Sequence, residues 1–167
     1  MDIHEVTLLL LTSAAACVDL RTGKIPNSII AAGLICGFAG NCVRDGVPGG
    51  LFSLLGAALP LLFLIILFYL HMIGAGDIKL LCMAGAFTGP VRAFHILIYT
   101  FLIGGVFSLV LLIKRGTVRS RLQYFTKYIG VCLSECRAKS YLEGVGEDGR
   151  FCFSVPILLG ILAEMFL

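Results

Sequence analysis

Residues 51–72 form an apolar stretch containing no Asp, Glu, Lys or Arg. About 20 helical residues cross a hydrocarbon core about 30 Å thick, so this stretch is long enough to span a bilayer. Five further apolar runs accompany it, at 6–18, 29–43, 78–88, 93–113 and 151–167. Of the 167 residues, 59% are hydrophobic and 14% charged, with a mean hydropathy of +1.01. A soluble domain is about 45–50% apolar and about 25% charged. A water-soluble globule of this length leaves too much surface exposed to hide so much apolar matter. Intrinsic disorder is excluded by the same excess, and no G-x-y or heptad repeat supports a fibre. The expectation is an all-α polytopic membrane protein, one domain over 1–167 with six transmembrane helices.

Breaks between the runs are chemically marked. A polar turn with Gly and Pro is expected over 41–50, Gly74-Ala75-Gly76-Asp77 interrupts the chain after the third run, and Gly89-Pro90 closes the fourth. Lys and Arg in the loops set the orientation. With the N-terminus outside, the inner loops are 19–28, 72–79 and 114–150, and they hold eleven of the thirteen basic residues; Arg44 and Arg92 fall outside. A re-entrant fourth run would turn the most basic loop outward, so the short run 78–88 is taken as a full span. Ala14-Ala15-Ala16-Cys17 has some look of a lipoprotein cleavage site, but the start carries Asp2, His4 and Glu5 rather than the basic residues of a secretory signal. The basic loop 114–150 reads either as holding an interfacial helix over 122–133, with Tyr124, Phe125 and Tyr128, or as a solvated linker.

A net charge of +3 offers no basis for nucleic-acid binding. The seven cysteines show neither a zinc spacing nor a disulfide framework. Cys17, Cys36, Cys82 and Cys152 lie in apolar stretches as small hydrophobes, and Cys132 and Cys136 share a helix face. No metal and no cofactor is expected.

Asp19 and Asp77 carry the chemistry. An acid within an apolar segment costs about 2.5–3.5 kcal/mol at a helix centre. Two spans separate the pair, an even number, so both lie at one membrane face. Glu164 sits near the outer end of the last span with no evident acidic partner. Facing carboxylates do not both ionise easily and share one proton. The ionised member takes a proton from water as the water attacks a scissile carbonyl; the protonated member donates to the carbonyl oxygen and then assists the leaving amine. Gly74 and Gly76 give the backbone room to bend and let an extended substrate approach. After Asp19 come Arg21, Lys24 and Ile25-Pro26-Asn27. Pro26 is expected to stop the first helix and Asn27 to cap the second. Lys79 is placed to hold a carboxylate or a substrate's acidic group, or to snorkel to the border.

Together these motifs resemble the type IV prepilin peptidase family, membrane aspartic proteases of the Gly-x-Gly-Asp class. Its first motif, Asp followed by a basic residue and Ile-Pro-Asn, is matched by Asp19, Arg21 and Ile25-Pro26-Asn27; its second is matched by Gly74-Ala75-Gly76-Asp77 with Ile78-Lys79-Leu80. Presenilin-like proteases share the second motif but place the first Asp after Tyr, unlike Val18-Asp19. The resemblance implies that Asp19 and Asp77 are catalytic. It also implies a substrate that is a prepilin or pseudopilin precursor, cut at the cytoplasmic border of the inner membrane just before an apolar helix, commonly after Gly. The compact form is similar to the peptidases of tight-adherence (Flp) pili or of archaeal preflagellins. The four-cysteine part that larger, methylating members carry is not matched, so neither S-adenosylmethionine nor zinc is expected. Read without the resemblance, the acids also fit a small proton- or cation-coupled transporter, since glycine-broken helices serve those too. A third reading is a non-catalytic membrane assembly subunit in which the acids are merely paired.

Overall fold

The computed structural model of the chain describes residues 3–70, 72–114 and 152–166. Its helices are α1 (Ile3–Thr22), α2 (Asn27–Tyr69), α3 (Ala75–Lys114) and α4 (Ser154–Phe166), and no strand occurs among the described residues. α1, α2 and α3 are each long and apolar enough to cross a membrane, and α4 is a shorter apolar helix. Leu62, Phe63, Ile65 and Ile66 stand exposed on α2, an outward apolar face of the kind a lipid environment covers. The interfacial helix expected over 122–133 lies outside the described residues.

At 43 and 40 residues, α2 and α3 would each reach about 60 Å if straight. Each instead breaks at a glycine. Gly46 takes φ 65° and ψ −142°, and Gly89 takes φ 78° and ψ 176°, conformations open to a residue without Cβ. The chain folds back at both. Gly49 lies against the Asn41 carbonyl and Gly50 against Cys42 Sγ, and Gly85 meets Ala93 across the second break. The turn expected over 41–50 thus narrows to Gly46, with helix on either side. Pro48 follows in the first turn of the second leg, where a missing N–H leaves no bond unmade.

The second break has a polar consequence. In an unbroken helix the Ala86 carbonyl would accept from residue 90, but Pro90 has no N–H. Asn41 Nδ2 donates to that oxygen at 2.9 Å and Ser53 Oγ at 2.7 Å. One donor comes from each leg of α2, so the hairpin of α2 is fastened to the weak point of α3. Buried groups with no water to hand require such partners.

The core forms around the first leg of α3, where Leu80, Leu81, Met83 and Ala84 are buried; Leu8, Leu64, Ile157 and Ile161 close on it from the other helices. α4 runs antiparallel to the second leg of α3, with Phe153 and Pro156 against Gly104, and Gly160 against Thr100. The buried face of α1 carries Leu8, Thr12, Ala15, Ala16 and Asp19. A stripe recurring every three or four residues therefore ends on an acid, and the packing that buries Leu8 also carries the Asp19 carboxylate inward. Gly23, at φ 64°, then closes α1 by donating its N–H to the Asp19 carbonyl at 2.7 Å, a left-handed helix cap.

Candidate active site

Asp19 lies in the last turn of α1 and Asp77 in the first turn of α3. Asp19 is only 7% exposed, while Asp77 is half-buried. The two carboxylates lie within electrostatic reach of one another. Gly74, directly before α3, donates its N–H to the Asp77 carboxylate. A side chain at the third helical position that reaches back in this way satisfies a donor the helix start leaves unpaired. A methyl on Gly74 would sit 3.1 Å from Asp77 Oδ2, so the glycine leaves room for the carboxylate to lie over the backbone.

The segments after the two acids interlock. The Ile25 side chain covers Gly76, 3.4 Å from where a methyl would stand, and Lys79 Nζ donates to Asn27 Oδ1 at 3.0 Å. The roles within the first segment differ from those expected. Gly23 stops α1 before Pro26 is reached. Pro26 occupies the N-cap of α2, in extended conformation and with no side-chain cap bond. Asn27 is already helical, which frees its amide oxygen for Lys79. Arg21 and Lys24 are exposed and, among the described residues, form no ion pair with either acid. A border aspartate neutralised by its own loop is thus not the arrangement found.

The partner of Asp19 comes from α4. Ser154 Oγ donates to Asp19 Oδ2 at 2.6 Å, and Ser154 is fully buried. That distance is at the short end of the range for an O–H···O hydrogen bond. The sequence reading missed Ser154. Its signal was faint: a Ser two residues before a Pro, opening the sixth run.

Cys152 lies beside the same pair, its Sγ 4.0 Å from the Asp19 carbonyl oxygen. Burial pushes the Cys152 thiol up, and the Asp19 and Asp77 carboxylates push it the same way. The thiolate is the nucleophile, so maleimide labelling of Cys152 near neutral pH is expected to be slow. Asp19→Asn or Asp77→Asn removes a negative neighbour and is expected to speed it. The measurement uses a chain whose other cysteines are Ser; an unchanged rate in both variants would place the carboxylates away from Cys152.

The opposite end of α1 is built differently. A cavity of about 300 Å³ is lined there by His4, Glu5, Asn41, Arg44 and Arg92, among others. Arg92 Nη1 meets Glu5 Oε1 at 3.2 Å, Arg92 Nε meets Glu164 Oε1 at 3.6 Å, and His95 Nδ1 meets Glu164 Oε2 at 3.4 Å. Glu164, which the sequence left without an acidic partner, is held instead by two basic residues of α3. Here acids are set against bases, whereas Asp19 and Asp77 lie within each other's electrostatic reach with Ser154 and the Gly74 N–H as their hydrogen-bond donors. Among the described residues, no group of three His, Cys, Asp or Glu is placed to hold a metal ion.

The model of the type IV leader peptidase family matches residues 6–109. That stretch contains Asp19, Asp77 and the segments that interlock beside them, and it ends before α4. No curated protein and no solved structure matches the chain.

Proposed function

Because the chain belongs to the type IV leader peptidase family, we propose that it is an aspartic endopeptidase whose paired carboxylates are Asp19 and Asp77. It acts on prepilin or pseudopilin precursors and releases their basic leaders. The observation that carries this reading is the meeting of the two acids at one end of the bundle, with Ile25 on Gly76 and Asn27 on Lys79 beside them. One carboxylate takes a proton from the attacking water; the other, holding the pair's proton, donates to the scissile carbonyl and then to the departing amine. Water is the only co-reactant this chemistry needs.

The chain is one membrane-embedded unit over 1–167 that crosses the inner membrane six times. α1, the two legs of α2, the two legs of α3 and α4 are the six passes. With the eleven basic residues of the loops on the inner side, the N-terminus lies outside and Asp19, Asp77 and the basic segment after α3 lie at the cytoplasmic border. A leader rich in Lys and Arg would remain there beside anionic lipid, while the apolar helix behind it stays in the bilayer. Exposed Arg21 and Lys24 and the Lys79–Asn27 pair border the path of that leader.

The test is cleavage in detergent by the purified full-length protein. Its substrate is a synthetic precursor with a basic leader, a Gly and an apolar helix. Mass spectrometry is expected to find a single cut at the leader boundary, with no cofactor added. A precursor left whole under all conditions would sink the reading, and is what a transporter or an assembly subunit would give.

A further inference from the structure

We propose that Ser154 is a positioning residue for Asp19: its hydroxyl holds Oδ2 of the carboxylate so that Oδ1 is presented to the reacting water. The inference rests on the aspartic-peptidase reading above and adds to it a residue from beyond the matched family stretch. The bond is 2.6 Å long and joins residues 135 apart in sequence. Both ends are sheltered, Ser154 fully and Asp19 nearly so, so water competes little for either.

The placement of the hydroxyl is informative. Ser154 is the first residue of α4, directly after Phe153, whose carbonyl accepts the first bond of that helix from the Ile157 N–H. Its hydroxyl donates across to a carboxylate on α1. Its own position is fixed from behind: Pro156 packs on Gly104 and Gly160 on Thr100, with Pro156 and Ile157 buried. The donor is therefore anchored by a different helix from the one bearing the acid. A carboxylate at the end of α1 has freedom about its side-chain torsions. Tying one oxygen to α4 leaves the other with a single direction, and that direction is what a general base requires. Asp77 has a local counterpart in the Gly74 N–H; Asp19 has no such device within α1 and takes its hold from α4.

The experiment uses the full chain in the cleavage assay above. Ser154→Ala is expected to lower kcat by about 10–100-fold, the scale of a misplaced catalytic group, with KM within about twofold of wild type. Ser154→Thr keeps the hydroxyl and is expected to recover most of the loss. Thermal transitions of both variants in the same detergent establish that they are folded. Ser154→Ala at wild-type kcat would overturn the inference, as would folded Ala and Thr variants impaired alike or a loss confined to KM. Any of these leaves the paired-carboxylate reading standing if the wild type cuts and Asp19→Asn does not. Failure of the wild type to cut, or cutting by Asp19→Asn, would fall on that reading instead.

Discussion

Asp77→Asn and Asp19→Asn are each expected to reduce precursor cleavage by about 10²–10⁴-fold or more, because one proton must be held and one accepted within the same pair. An amide at either position does neither. The substitution is nearly isosteric, and the supporting bonds survive it. The Gly74 N–H still finds an acceptor at residue 77, and the Ser154 hydroxyl still finds one at residue 19. Membrane accumulation and thermal transition should therefore stay near those of the wild type, which separates lost chemistry from lost fold. The two losses should not add in the double variant, since either alone removes the function of the pair. Wild-type cleavage should follow a bell-shaped pH profile whose limbs belong to the pair rather than to either residue. Rate is lost at low pH when both are protonated and at high pH when neither is. A folded Asn variant that keeps more than about a hundredth of the wild-type rate would rule out the carboxylate mechanism.

The site was legible in the sequence to the extent that local pattern and parity determine it. Asp19 and Asp77 interrupt apolar runs, and the two helical legs of α2 that lie between them return the chain to the same end. Gly74 and Gly76 read only as room for a bend and for an extended substrate; that the Gly74 N–H would hold the Asp77 carboxylate and that Ile25 would cover Gly76 was not in the pattern. Contacts made between helices distant in sequence were hidden. Nothing near Ser154 says that α4 reaches α1, because no periodicity within one helix encodes which neighbour it meets. The contacts of Glu164 with Arg92 and His95 were hidden for the same reason. Local capping failed in a different way. Pro26 looked like the stop of α1, but Gly23 reaches the left-handed region first and ends the helix. The polar stretch 41–50 looked like a loop because it holds Asn41, Arg44, Asp45 and three glycines. Yet one glycine with positive φ suffices to reverse a helix, and the polar residues remain helical beside it. Asn41, which read as a turn residue, is a buried donor to Ala86.

Gly56→Val is expected to prevent the protein from accumulating in membranes, and Gly56→Ala to lower its thermal transition markedly. Where α2 crosses α3, a methyl on Gly56 would run into the Gly85 carbonyl, and a methyl on Gly85 into the Gly56 carbonyl. The obstacle is backbone on both sides, so no rotamer change relieves it; the helices must separate. The close approach has its own cause. Pro60 stands where the Gly56 carbonyl would find its intrahelical donor, so that oxygen is free to lie on the Cα of Gly85 as a Cα–H···O contact. Overpacking a dense interior costs about 1–3 kcal/mol and occasionally more, against a total stability of about 5–15 kcal/mol. Gly105→Ala is the control. A methyl there has nothing within 4 Å, and Ala gains up to about 1 kcal/mol of helix propensity over Gly, so its transition should hold or rise. A Gly56→Ala transition equal to the wild type's would show that the crossing is looser than this. The crossing also bears on the site. Gly85 and Asp77 share the first leg of α3, so displacing that leg from α2 also shifts Asp77 relative to Asp19. The folded fraction of Gly56→Ala should accordingly cut more slowly than wild type, which is how helix packing remote from the carboxylates reaches the chemistry.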